Sequence, residues 1–135
     1  MRSRFAAICV GLLLVGARLW AHHAFAAEFD EKRPITLHGT VTKMEWVNPH
    51  SWIHIDVKDA DGKVTSWMIE GGSPNALLRL GFTMNAVQYG MAIVVEGFQA
   101  KDGTNKGVGR SLTFADGRQL FLGSSAPGAQ GDPKK

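Results

Sequence analysis

Cysteine is almost missing from these 135 residues: the single one, Cys9, lies inside an apolar run near the amino terminus. From His22 onward there is no thiol, which excludes a disulfide framework, a cysteine nucleophile and a thiolate metal site. Sequence signatures of catalysis are lacking too. The chain has no G-x-S-x-G elbow, no phosphate-cradling glycine loop and no H-E-x-x-H zinc helix, so no enzymatic activity is expected of it. A membrane-spanning run is also absent, because "FAAICVGLLLVGA" offers thirteen residues where about twenty are needed to cross the hydrocarbon.

An excess of one charge is confined to the first residues. The formal net charge of +3 comes from 15 Lys and Arg against 12 Asp and Glu. Arg2, Arg4 and Arg18 precede His22 with no acidic residue among them, so without them twelve basic side chains face twelve acidic ones. That balance removes the electrostatic case for nucleic acid or for an anionic membrane surface, both of which need a concentration of Lys and Arg.

What is present begins with an export signal. Arg2 and Arg4 supply a positive end, the apolar run follows, and small residues then offer three cleavage points, after Ala17, Ala21 or Ala26. Ala24-Phe25-Ala26 is the best literal A-x-A match, but spacing from the apolar run favours Ala21. Residues 1–21 are therefore read as a signal peptide and the remainder as a periplasmic or secreted protein with no stable membrane insertion. Cys9 lies within the run, where it acts as a small apolar residue and not as a lipid-anchor site. The length suits one domain with a modest core.

From Pro34 to Gly123 apolar and polar residues alternate between turn signals, the pattern of short antiparallel strands. Five strands are expected, with a sixth short one possible in "QLFL". In "ITLHGTVTKMEW" Ile35, Leu37 and Val41 share a face; the parity then shifts to Met44 and Trp46, which predicts a bulge near Lys43. "SWIHIDV" sets Ile53, Ile55 and Val57 against Trp52, His54 and Asp56, and "DADGK" turns the chain into "VTSWMIE". "GGSPNALLRLGF" predicts a helix of about two turns, with Ser73 as cap, Pro74 in first position and Gly81 as stop. Strands over "AIVVEGF" and "KGVGRSLTF" complete the set.

The order strand, strand, strand, short helix, strand, strand predicts an all-β fold with one short helix. It is that of an oligomer-binding (OB) barrel, a five-stranded Greek key whose long first strand is bent and shared by both halves. An immunoglobulin-like β-sandwich is the alternative, although it requires about seven strands and leaves the capped helix unexplained. Residues 22–33 are expected as an N-terminal arm, 34–123 as the OB-like domain and 124–135, "SSAPGAQGDPKK", as a disordered tail.

Two groups of residues could carry chemistry. Cleavage after Ala21 would expose a free amine beside the imidazoles of His22 and His23, a nitrogen set that suits Cu(II) above nickel or zinc. His50, in the turn "VNPHSW", is the best internal partner for that pair; His54, about 13 Å along the same strand, is not expected to share an ion with it. The competing account of the pair is adventitious binding at a loose terminus. Met44, Met68, Met84 and Met91 read as core filler, and His38, among threonines, as solvated. The second group is a ligand surface built on Trp52, His54 and Asn48, because OB barrels bind on the face of strands two and three through aromatic platforms. Pro49 and Glu70 to Ser73 would rim it, while Trp46 and Trp67 fill the core. A small molecule or a partner protein would be the occupant. A Ser73, Asp56 and His54 constellation is the weakest reading, since Ser73 already serves as a cap.

The segments "HHAFAAEFD", "GTVTKMEWVNPHSWIHIDVKDADG", "WMIEGGSPNALLRLGF" and "DGTNKGVGRSLTFADGRQLFLGSS" together resemble a family of short exported bacterial proteins of uncharacterised function. Members carry "HHSF" where this chain has "HHAF", with Ala24 in place of Ser. The resemblance implies export and retention of the histidine pair, and it implies no reaction.

Overall fold

The computed structural model describes Trp20 and residues 23–131. A short helix, α1, covers residues 23–28. It leads into β1 (Phe29–Glu45), β2 (Trp52–Lys58), β3 (Val64–Glu70), α2 (Pro74–Arg79), β4 (Ala92–Ala100), β5 (Lys106–Phe114) and β6 (Gln119–Phe121). The strands pair in the order β3-β2-β1-β4-β5-β6, and a further pairing of β3 with β5 joins the sheet into a ring. Every pairing is antiparallel except that closing one. The fold is thus all-β with the expected strand connectivity, and closure through β3 and β5 distinguishes it from a two-sheet sandwich.

The seventeen residues of β1 organise the ring. Its first half pairs with β4 and its second half with β2, and Gly39 and Thr40 are paired on both sides where the strand passes from one neighbour to the other. A Cβ on Gly39 would lie 3.0 Å from Ile55 Cδ1 and 3.1 Å from the Asp56 carbonyl oxygen, so the close approach there needs glycine. The register shifts between Val41 and Lys43, at the position the parity change predicts.

Alternation then fills the interior. Val41, Ile53, Ile55, Ile69, Val95, Leu112 and Leu122 are buried there, and each such side chain contributes roughly 1.5–3 kcal/mol on leaving water. Gly109 in β5 lets the seam close, since a Cβ would meet Leu122 Cδ1 at 2.3 Å. Leu77 of α2 and Phe82 belong to the same core, with the Phe82 ring 6.1 Å from that of Trp46. The helix forms as predicted: Ser73 Oγ accepts the Ala76 N–H at 3.2 Å, Pro74 opens it, and Gly81 follows it with a φ of +83°.

A second cluster lies outside the ring, on β4 and β5, where Phe25, Phe29, Ala100, Val108, Ala126 and Ala129 pack together with Phe98 beside them. The structure corrects three expectations. Of the expected arm 22–33, the described residues 23–33 are not loose: residues 23–28 are helical and β1 already starts at Phe29. Phe25 of α1 and Phe29 at the start of β1 bring their rings together, 6.2 Å apart between centroids. Nor is residue 124 onward a disordered tail through Gly131. Ser124 Oγ donates to the Gly109 carbonyl at 2.6 Å, the Gly123 N–H donates to the Ala129 carbonyl at 2.8 Å, and two alanines small enough to nest against the rings are buried. Finally, Met44 and Met91 pack on the core, but Met68 and Met84 are 40% and 59% exposed and fill nothing.

Candidate functional site

The outer face of β2 follows from the same alternation that buries Ile53 and Ile55: Trp52, His54 and Asp56 point the other way. Register supplies their neighbours. Trp52 lies between Glu45 of β1 and Glu70 of β3, and His54 between Lys43 and Met68. Across the seam, Met68 is opposite Lys106 of β5. Cross-strand pairs of this kind bring side chains within contact of one another.

Lys106 connects the patch to the second cluster. Its ammonium is 5.7 Å from the centroid of the Trp52 ring and 5.8 Å from that of Phe29, and it is ion-paired with the Glu28 carboxylate of α1. On one flank, His54 Nε2 is 2.7 Å from Glu45 Oε2 while Lys43 Nζ is 2.8 Å from Glu45 Oε1. Hydrogen bonds from Lys43 and His54 hold the Glu45 carboxyl below its ordinary range. On the other flank, His50 Nδ1 is 3.1 Å from Glu70 Oε1. Glu70 is the buried partner, its side chain 8% exposed, and burial pushes its carboxyl up; the Glu28 charge adds to the rise, whereas His50 and Lys106 oppose it.

The structure therefore brings Trp52, His54 and His50 to one surface, with Glu70 at its rim as expected and Asn48 exposed in the connecting turn. The two histidines diverge, each held by a different carboxylate on a different strand. His23 is exposed on α1, and His22 lies outside the described residues. Among the described residues, no three or more His, Asp and Glu side chains are gathered in a metal-holding group. Nor is the Ser73, Asp56 and His54 constellation assembled: Ser73 caps α2, Asp56 accepts from Ser66 Oγ at 2.6 Å, and His54 is bound to Glu45. His38 is exposed, as expected.

Sequence reasoning missed Lys106, Glu45 and Glu28. The outward parity of Glu45 and Lys106 was readable, but which strands lie side by side was not, and the parallel β3–β5 seam is what delivers Lys106 to Trp52; Glu28 lies in α1, in a segment that reads as an arm.

These features define a class, a small all-β protein with a five-stranded ring, a capped helix and a charged aromatic patch on its outer face. Within that class the chain belongs to a family of unknown function (DUF6152), whose model matches residues 10–110. No match is found among curated proteins or among solved structures.

Proposed function

We propose that the protein is an exported, periplasmic binding module whose ligand sits on the outer face of β2 and β3 around Trp52. The observation that carries this reading is the indole itself: a half-buried ring on a sheet face, approached by an ammonium and flanked by two histidine–carboxylate pairs. Such a surface suits a ligand with a flat or cationic group to stack on Trp52 and polar groups for His50, His54 and Asn48. The pairs hold the imidazoles in fixed orientations, which lowers the entropy lost on binding. No catalytic step is assigned to it.

The test is a two-dimensional NMR titration with a panel of small aromatic amines, sugars and peptides bearing Arg or Trp. A true ligand shifts the Trp52 indole resonance, and Trp52→Ala weakens it at least about tenfold. A ligand whose affinity survives both Trp52→Ala and His54→Ala overturns the reading.

A second reading is Cu(II) capture by the amino end, through the amine, His22 and His23, with His50 assisting. It is favoured by the burial of Phe25, which makes α1 part of the folded domain and so carries His23 with it. Copper titration of His22→Ala, His23→Ala and His50→Ala variants decides it: unchanged affinity in all three removes the proposed ligands.

A further inference from the structure

We infer that the leader is cut ahead of Phe25, so that Ala24-Phe25-Ala26 is part of the folded protein and not its processing site; this rests on the export reading above. By sequence that tripeptide is the best literal recognition motif in the chain. In the structure it is bolted to the ring. Phe25 is 2% exposed, with its ring 5.5 Å from that of Phe98 in an edge-on contact and 6.2 Å from that of Phe29. The Ala26 carbonyl accepts a hydrogen bond from the Lys101 ammonium, and the Glu28 carbonyl accepts the Lys101 N–H at 3.0 Å.

A cut after Ala26 would have three consequences. The Phe25 ring would be lost, uncovering Phe29, Phe98 and Val108. Lys101 would lose the Ala26 carbonyl. A new terminal ammonium at Ala27 would then join Lys101 and Lys106, two cations already facing this segment, with Glu28 as the nearby anion. Cuts after Ala17 or Ala21 disturb none of these contacts. The peptidase reads an unfolded chain, so packing does not shield the bond; the inference concerns which product can fold into this structure. Its consequence is that His23 stands two residues from a buried anchor, on a seated helix and not on a loose end.

The experiment expresses the full chain in a Gram-negative host and measures the intact mass of the periplasmic product. A first residue at Arg18 or His22 supports the inference. A first residue at Ala27 overturns it and leaves export standing, whereas uncleaved protein confined to the cytoplasm overturns both. Stability supplies a second readout. A chain made to begin at Ala27, and the Phe25→Ala variant of the exported protein, should each melt roughly 10 °C below the exported parent or fail to fold. Melting within a degree or two of the parent in both cases overturns the folding argument on which the inference rests.

Discussion

The interior of the ring and the cluster on its outer face are both apolar, but they are assembled from different material. The interior takes mainly β-branched and leucine side chains from five strands, in an alternation interrupted only at the bulges, enclosed on every side by sheet and by α2. The outer cluster takes two phenylalanines from around α1, two alanines from beyond β6, and residues from the backs of β4 and β5. The first is closed by hydrogen-bonded strands; the second is closed by two chain segments laid over it. Cooperative stability should therefore reside in the ring, with α1 and residues 124–131 able to open locally.

The largest effect should come from the ring. Ile69→Ala or Leu112→Ala removes a side chain with no exposed surface from a site walled by strands, at a cost of about 4 kcal/mol. Denaturant unfolding should show that loss with one transition. Phe25→Ala should cost about 3 kcal/mol, at the low end for Phe→Ala because α1 can relax outward. Hydrogen exchange sharpens the contrast: amides of α1 should exchange through local opening in the parent and faster still in Phe25→Ala, while those of β2 and β5 follow global unfolding. Equal protection of α1 and the strands in the parent would erase the distinction between the two regions. Ser73→Ala, which removes one cap bond at the edge of the ring core, should cost about 1 kcal/mol in the same denaturant assay.

The same division explains what the sequence revealed. Alternation in "SWIHIDV" and the parity shift at Met44 are local signals, and both the strand and the bulge stand where they predict. The Ser73 cap, Pro74 and the Gly81 stop are equally local. The outer cluster has no such signal, because Phe25 lies in a segment that reads as an N-terminal arm and Ala126 in one that reads as tail. Each is apolar surface without a visible partner until the fold supplies β4 and β5. The site divides in the same way: Trp52 and His54 were legible as an outward pair on one strand with Glu70 near their rim, whereas Glu45 and Lys106 reach them only through register.

Glu70 offers the finest test, because it sits on the boundary between the two regions, next in sequence to interior Ile69 and on the patch beside Trp52. Its carboxyl is raised chiefly by burial and further by Glu28 of α1, with His50 and Lys106 opposing. A carboxyl raised above its ordinary value of 4.5 holds a proton in the folded state that the unfolded chain has already released. Its contribution is therefore complete below that pH and is lost as pH rises through the folded value. Glu70→Gln abolishes this titration, so thermal melts taken from pH 4 to 8 should show a weaker decline on the alkaline side than the parent does. Glu28→Gln should do part of the same by removing the like charge, and that partial effect measures the electrostatic link between α1 and the ring. If Glu28→Gln leaves the profile of the parent unchanged while Glu70→Gln flattens it, burial within the ring alone sets the carboxyl. The two regions would then be joined by packing and by the Lys106 bridge, with no charge coupling between the helix and the patch.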